Sequence, residues 1–430
     1  MPEAGETRPQ PAPGAGEAGA QGCSGEAAGQ LPAGPGTGAS LGPANAIGPG
    51  AVAWNSGGSD SAHQREARRD GDHATQGNSR QDDGAADDVA ADAPDASEMG
   101  GAVLVVAGTH GNERNGVWLL RQWRQNPALL DHGGLKLELA LGNPAAIAAG
   151  RRYVERDLNR SFQPALLNDP HNQEQEVRRA RELLAQWGPA GSQPCPVVFD
   201  LHSTTAAMGN SLVVYGRRPA DLALAAGLQD RLGLPVYVHE KDPHQCGYLV
   251  EQWPCGLVIE VGPVPQGVVT ARICRQTQLA LETALALLAE ARWGPLRLPQ
   301  QLVVHRHLRS LDVPRAANGE ACALIHPLRH DRDWQPLRPG DPLFLSDSGD
   351  TIPWEPQPGD PPTVWPVFIN EAAYEEKGIA LSLTQREQWP ASLTWARELE
   401  RKAKGLRGSL NAKHNNAKHN NAKCKAVDCQ

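Results

Sequence analysis

His110 and Glu113 stand three apart in GTHGNERNG, residues 108–116, between glycines and directly after the apolar run AVLVVA. An imidazole and a carboxylate at that spacing offer two of the three protein ligands that hydrolytic zinc sites commonly take, the fourth position being left to water. Alone, such a pair is more often a surface salt bridge or a turn than a metal site. A second imidazole from another strand end would favour the metal, and His202 is placed to supply it, since VVFDLHSTTAAMG carries it just past an apolar run. Asp200, two residues earlier, reads either as a carboxylate that orients an imidazole or as a strand-end group binding local amides.

Hydrolysis at such a centre also needs a base. Glu260 ends the apolar stretch LVIEVGP, where a carboxylate is costly to bury without a role or a partner, so it is either a general base or an arginine-paired structural acid. RRYVERDLNRSF, 151–162, holds four arginines (151, 152, 156 and 160) with Asn159 among them. Guanidinium forks suit carboxylates and oxyanions. The interleaved Tyr153, Leu158 and Phe162 predict an anchored loop rather than a solvated run of charge.

Presenting these groups requires strand ends. AVLVVA (102–107) is short, β-branched and uncharged, which predicts a buried strand, followed by a helix over 117–124. Further strands are expected at 135–144, 196–202, 211–216, 234–240 and 256–263, and helices at 174–187, 221–232 and 270–293. The alternation predicts an α/β sheet covered by helices, with ligands bound beyond the strand ends. From about Pro295–Pro299 the pattern changes to short strands between Pro, Gly and Asp turns, with no convincing helix until about 384. The expected division is therefore a catalytic α/β domain over 100–294 and a smaller β-rich domain over 295–390.

The ends read differently. Residues 1–99 carry fifteen acids against five arginines, net −10, and few large apolar side chains, so a disordered acidic tail is expected. Residues 391–430 are read as a basic low-complexity tail containing AKHNNAKHNNAK, a solvated tract in preference to a metal-binding one. Residues 100–400 are near −5 of the chain's −8, the last thirty residues carrying +7, which argues against nucleic acid as a partner. No stretch approaches the ~18–20 apolar residues needed to cross a bilayer. The opening MPEAGETRPQ is followed by no apolar h-region, so no secretory leader is expected. Eight cysteines without a CxxC pair point to free thiols in a reducing cytoplasm.

Taken together, GTHGNE, RRYVERDLNRSF, FDLHSTTAAMG, IEVGPVPQGV, HPLRHDRDWQPLRPGDPLF and VWPVFINEAAYEEKG carry a family likeness. Over about 101–380 the chain resembles the aspartoacylase and aminoacylase-3 branch of the succinylglutamate desuccinylase/aspartoacylase family, distantly related to the zinc carboxypeptidases. The resemblance implies an α/β fold, a zinc-carboxypeptidase-like mixed sheet with flanking helices, plus a smaller β-rich C-terminal domain walling the cleft. It implies one Zn2+ per chain held by His110, Glu113 and His202, with Glu260 as general base. Arg152 would polarise the scissile carbonyl, Asn159 and Arg160 would grip the substrate's carboxylate, and Tyr374 would reach the site from the C-terminal domain.

The implied substrate is a small-molecule N-acyl amino acid, and the implied activity removes an acyl group, acetyl foremost, by zinc-dependent hydrolysis of the amide. A metallocarboxypeptidase-type peptidase and a catalytically silent binding protein are the competing readings. A homo-oligomer is allowed but not specified. One departure bears on specificity. Aspartoacylases proper carry an arginine four residues after a tyrosine that Tyr248 matches, and no arginine follows in HQCGYLVEQWPCG. The apolar Leu249, Val250 and Trp253 predict a neutral or aromatic substrate side chain, with Lys241, Arg329 or Arg332 as the residues that could restore a cation.

Overall fold

The structure is a computed structural model that describes residues 101–240 and 246–408. The expectations for the acidic segment 1–99, for the AKHNN repeats and for Lys241 lie outside the described residues. Strand β1 (Val103–Ala107) leads into helix α1 (Arg114–Gln125), then β2 (Leu137–Leu141), α2 (Pro144–Ala149), α3 (Pro164–Leu167) and α4 (Gln175–Trp187). Strands β3 (Val197–Ser203) and β4 (Asn210–Tyr215), α5 (Pro219–Leu232), β5 (Val236–His239), β6 (Gly256–Val261) and α6 (Ala271–Trp293) follow. The C-terminal part holds β7 (Gln301–Asp312), β8 (Ala323–Ile325), β9 (Pro342–Ser346), β10 (Thr351–Pro353), β11 (Trp365–Val367), β12 (Ile379–Pro390) and α7 (Leu393–Lys404).

Nine strands form one mixed sheet in the order β11-β12-β7-β5-β4-β6-β3-β1-β2, and β10-β9-β8 form a small antiparallel sheet. β1 pairs in parallel with β2 and β3, and β3 with β6, whereas β4 runs antiparallel to β6. Strands β1 and β6 are buried along their whole length because helices and loops cover both faces, which is why they read as unbroken apolar runs. One face packs Val103, Val105, Phe199 and Ile259 with Leu120, Leu281 and Leu399 from the helices. The other packs Leu104, Val106 and Val258 with Phe162, Leu183 and Trp253.

The β-rich C-terminal region also extends the catalytic sheet, because β7 pairs in parallel with β5, at Tyr237 opposite His305, and β12 and β11 continue the same sheet. One expectation is corrected: the folded part does not end at 390. No helix begins near 384, where β12 runs instead, but α7 follows and buries Ala396, Leu399 and Ala403 against the core. Beyond it, Gly101 N–H donates to Gly405 O at 2.7 Å and Arg407 N–H donates to Gly101 O at 2.7 Å, so the last described residues close onto the first. The apolar positions 396, 399 and 403 have helical spacing, but the basic charge around them made the segment look like a tail. Among the described residues no helix is long and apolar enough to cross a membrane.

Candidate active site

The edge beyond β1, β3 and β6 collects the singled-out residues. β1 stops at Ala107 and the chain turns through Gly108, whose φ of +71° suits glycine. Gly111 is fixed more tightly: a Cβ there would lie 2.1 Å from the Ala146 carbonyl carbon, so only glycine lets this loop lie against α2. Glu113 occupies the N-cap of α1 but caps nothing with its side chain, which leaves it to face the imidazoles. In the β3–β6 register His202 lies opposite Glu260, so both project from one face of the sheet at its edge.

His110, Glu113 and His202 converge. Glu113 Oε1 lies 2.6 Å from His110 Nδ1, and Oε2 lies 3.0 Å from His202 Nδ1. One donor atom from each residue falls within 4.8 Å of the others, and the two rings meet edge-on with centroids 4.9 Å apart. The outward nitrogens are also engaged: His110 Nε2 faces Asp157 Oδ1 at 3.1 Å, and His202 Nε2 faces Asp200 Oδ2 at 2.8 Å. Asp200 is fully buried and accepts from Thr109 Oγ1 at 2.7 Å, so it orients an imidazole rather than merely binding local amides. Two imidazoles and a carboxylate facing inward, each imidazole backed by a carboxylate, suit a divalent cation of zinc's ligand preference.

The electrostatics agree with that donor set. Burial alone would raise the Glu113 carboxyl, but His110 and His202 hold it well below the usual range. Burial would lower the His202 imidazole, yet Asp200 and Glu113 hold it well above its ordinary value. Burial pushes the Glu260 carboxyl well above the usual range; His202 pulls it back, and Glu113 and Glu371 add to the rise.

The arginine segment is anchored, as its apolar residues predict: Leu158 and Phe162 are fully buried. Arg152 donates to Asp157 Oδ2 at 3.0 Å and lies 3.6 Å from Glu113 Oε1. Burial disfavours its charge, but Asp157 and Glu113 more than offset that and hold its pKa up. Asn159 accepts from Leu249 N–H at 2.8 Å through Oδ1, pinning the neighbouring loop. Arg160 lies over the Tyr248 ring at 4.2 Å, and that ring stacks on Tyr215 at 3.9 Å. Tyr374, on a short 3-10 turn over Ala372–Lys377, lines the same cavity, and burial raises its hydroxyl to about 12.

Sequence reasoning missed three contributors. Asp157 joins His110 to Arg152, but it reads in the sequence as one more charge in a charge run. Glu371 is buried and accepts from Thr205 N–H at 2.8 Å, Thr205 Oγ1 at 2.9 Å, Ala206 N–H at 3.1 Å and the Thr204 hydroxyl, clasping the loop after His202. Tyr215 gave no signal because it ends an ordinary strand. One reading is corrected: Leu249, Val250 and Trp253 are buried in the core and do not line the cavity. Its apolar lining comes from Val213, Tyr215, Tyr237, Val258 and Phe368 instead, and among the described lining residues Arg152 and Arg160 are the only guanidinium or ammonium groups. Arg329 is occupied with Pro336 O and Asp341, and neither it nor Arg332 lines the cavity.

Residues 99–288 match the Succinylglutamate desuccinylase/Aspartoacylase catalytic domain, and residues 300–386 match the AstE/AspA barrel-sandwich hybrid domain. A probable aspartoacylase of Parasynechococcus marenigrum (strain WH8102) is 59% identical over 298 residues, spanning 69% of this chain and 97% of the relative. Another, from Prochlorococcus marinus (strain MIT 9313), is 55% identical with the same coverage. Among solved structures, murine aminoacylase 3 aligns with a TM-score of 0.62 at 36% identity, over 68% of this chain and 97% of the mouse protein. With relatives of this identity matched along nearly their whole length, the chain belongs to the succinylglutamate desuccinylase/aspartoacylase family of acyl-amino-acid hydrolases.

Proposed function

We propose that the protein is a zinc-dependent amidohydrolase that releases an acyl group, acetyl foremost, from N-acyl amino acids and accepts neutral or aromatic side chains. The observation that supports this reading is the meeting of a cation-binding triad, a buried carboxylate and two guanidinium groups in one cavity. A zinc ion held by His110, Glu113 and His202 would supply Lewis acidity toward water and the amide oxygen.

The chain's own residues do the rest. Glu260 takes a proton from the water that attacks the amide carbon and returns it to the departing nitrogen, giving a carboxylate and a free amino acid. Arg152, charged and held by Asp157, stabilises the negative charge that develops on the carbonyl oxygen. Asn159 and Arg160 bind the α-carboxylate, Arg160 being kept in place by the Tyr248 ring beneath it. Tyr374 and Phe368 wall the cavity from the C-terminal side and favour a single amino acid over a chain passing through.

The neutral or aromatic preference rests on the lining. Both guanidinium groups there already have roles at the carbonyl and the α-carboxylate, and the remaining surface is tyrosine, valine and phenylalanine. Losing a buried cationic partner for a second carboxylate costs ~2–5 kcal/mol. Initial rates on N-acetylated phenylalanine, tyrosine, aspartate and glutamate test it: kcat/KM for the aromatic substrates should equal or exceed that for N-acetylaspartate. A hundredfold preference for N-acetylaspartate would overturn the specificity, and no acetate release from any of the four would overturn the activity.

A further inference from the structure

Glu176 is fully buried in the first turn of α4, and the chemistry described so far gives it no part. Its carboxylate accepts four hydrogen bonds. Oε1 receives Val154 N–H at 2.7 Å and the Asn143 side-chain amide at 3.0 Å; Oε2 receives Glu155 N–H and Arg156 N–H, both at 3.1 Å. Three successive backbone amides on one carboxylate form a concave nest around it. The nest fixes a stretch of chain that has neither helix nor strand to hold it.

The position of that stretch gives the contact its meaning. Arg152 lies two residues before the nest and Asp157, the shared partner of Arg152 and His110, lies one residue after it. The other anchor is Arg152 O, which accepts from Gly111 N–H in the metal-ligand loop at 3.0 Å. These two points fix the backbone at Arg152 and just after it. Asn143 completes the arrangement, since it donates to Glu176 while its own Oδ1 caps α2 by accepting from Ala146 N–H at 3.1 Å.

We propose that Glu176 is the positioning residue for Arg152: by gathering the amides of 154–156 it sets where the guanidinium meets the developing oxyanion. The inference rests on the role given above to Arg152. Small displacements of a catalytic group are expensive, a 1 Å misplacement costing on the order of 10²-fold. Glu176→Gln puts an NH2 against N–H donors whichever way the amide is turned, so the nest must open.

The experiment is a double-mutant cycle on the zinc-loaded full chain with Glu176→Gln, Arg152→Ala and the pair, reading kcat, KM and zinc content. Glu176→Gln should lower kcat roughly 10- to 100-fold with zinc content unchanged. In the Arg152→Ala background it should cost no more than about twofold, because the group it positions is gone. A merely structural role predicts the opposite, a loss that multiplies fully with that of Arg152→Ala, and that result would overturn the proposal. So would wild-type kcat in Glu176→Gln while Arg152→Ala is crippled. If Arg152→Ala itself turns over normally, the role of the arginine has failed and the inference falls with it. Should Glu176→Gln not fold, Glu176→Asp takes its place; it keeps the charge and withdraws the carboxylate by one methylene. A smaller loss with the same non-additivity supports the proposal, and unchanged kcat overturns it.

Discussion

The cation-binding hub and the substrate wall of this molecule are built on opposite plans. In the hub, His202 and Glu260 face each other in the β3–β6 register, while His110 and Glu113 sit in the short loop between β1 and α1, held by the Gly111 N–H to Arg152 O contact, so backbone hydrogen bonds set most of their spacing. In the wall, Tyr215, Tyr248, Phe368, Glu371 and Tyr374 come from scattered segments and are held mainly by ring contacts and a few polar clasps. A site fixed by backbone register tolerates little change in chemistry, while a wall fixed by side-chain packing can vary in what it admits. On the function proposed above, catalysis falls to the first region and selectivity to the second.

The largest effect should come from the hub itself. His202→Ala or Glu113→Ala is expected to lose zinc and with it measurable turnover, since two protein ligands hold the ion poorly where three held it well. Chelation should abolish activity in the parent protein and added zinc should restore it, as read by metal analysis beside acetate release. Full activity in a metal-free preparation would remove the hub's claim to catalysis.

Glu260→Gln comes next. It keeps the side chain's size but cannot accept a proton, so kcat should fall ~10²–10⁴-fold with zinc still bound. If kcat barely moves, the base lies elsewhere.

Glu371→Gln probes the seam between the two regions. The residue belongs to the wall in sequence but clasps Thr204, Thr205 and Ala206, which directly follow the hub's β3. An amide must set its NH2 either against the Ala373 N–H, which now donates to Oε1 at 3.0 Å, or against the Thr204–Ala206 donors, costing about 1–3 kcal/mol in stability. Activity should fall as well, because the loop beyond His202 loosens. A drop in Tm without any change in kcat or KM would show the two regions to be energetically coupled but functionally separate.

His305 tests the sheet behind the wall alone. Burial, reinforced by Arg386, lowers its imidazole to about 4, and it packs between Trp334 and Trp365. Because the folded value lies below the ordinary ~6.5, the stabilisation is complete above that pH and is lost as pH falls toward 4. At pH 5 the loss should be about 2 kcal/mol. Denaturant midpoints at pH 7 and 5 for the parent protein and His305→Gln would show it: the variant should lose less on acidification, and equal losses would sink the assignment.

The hub was legible because its chemistry has a local signature. HxxE after an apolar run, a histidine after another and a glutamate ending a third can all be found by spacing and periodicity. Asp157 and Glu176 were not, since each looks like one charge among many until the fold brings it to His110 or to the amides of 154–156. Helix α7 hid for a related reason: its three core positions are outnumbered by solvated charges, and only contact with the sheet's helices reveals which face counts.

The residue types that can do this chemistry, the strands that present them and the α/β character of the fold follow from patterns a few residues long, which the chain carries locally. It took the assembled fold to show that β7, β11 and β12 join the large sheet, that Leu249, Val250 and Trp253 turn into the core, and that Tyr215, Tyr237 and Phe368 line the cavity in their place. Those outcomes depend on strand register and on packing between residues far apart in the chain, and a short window of sequence contains neither.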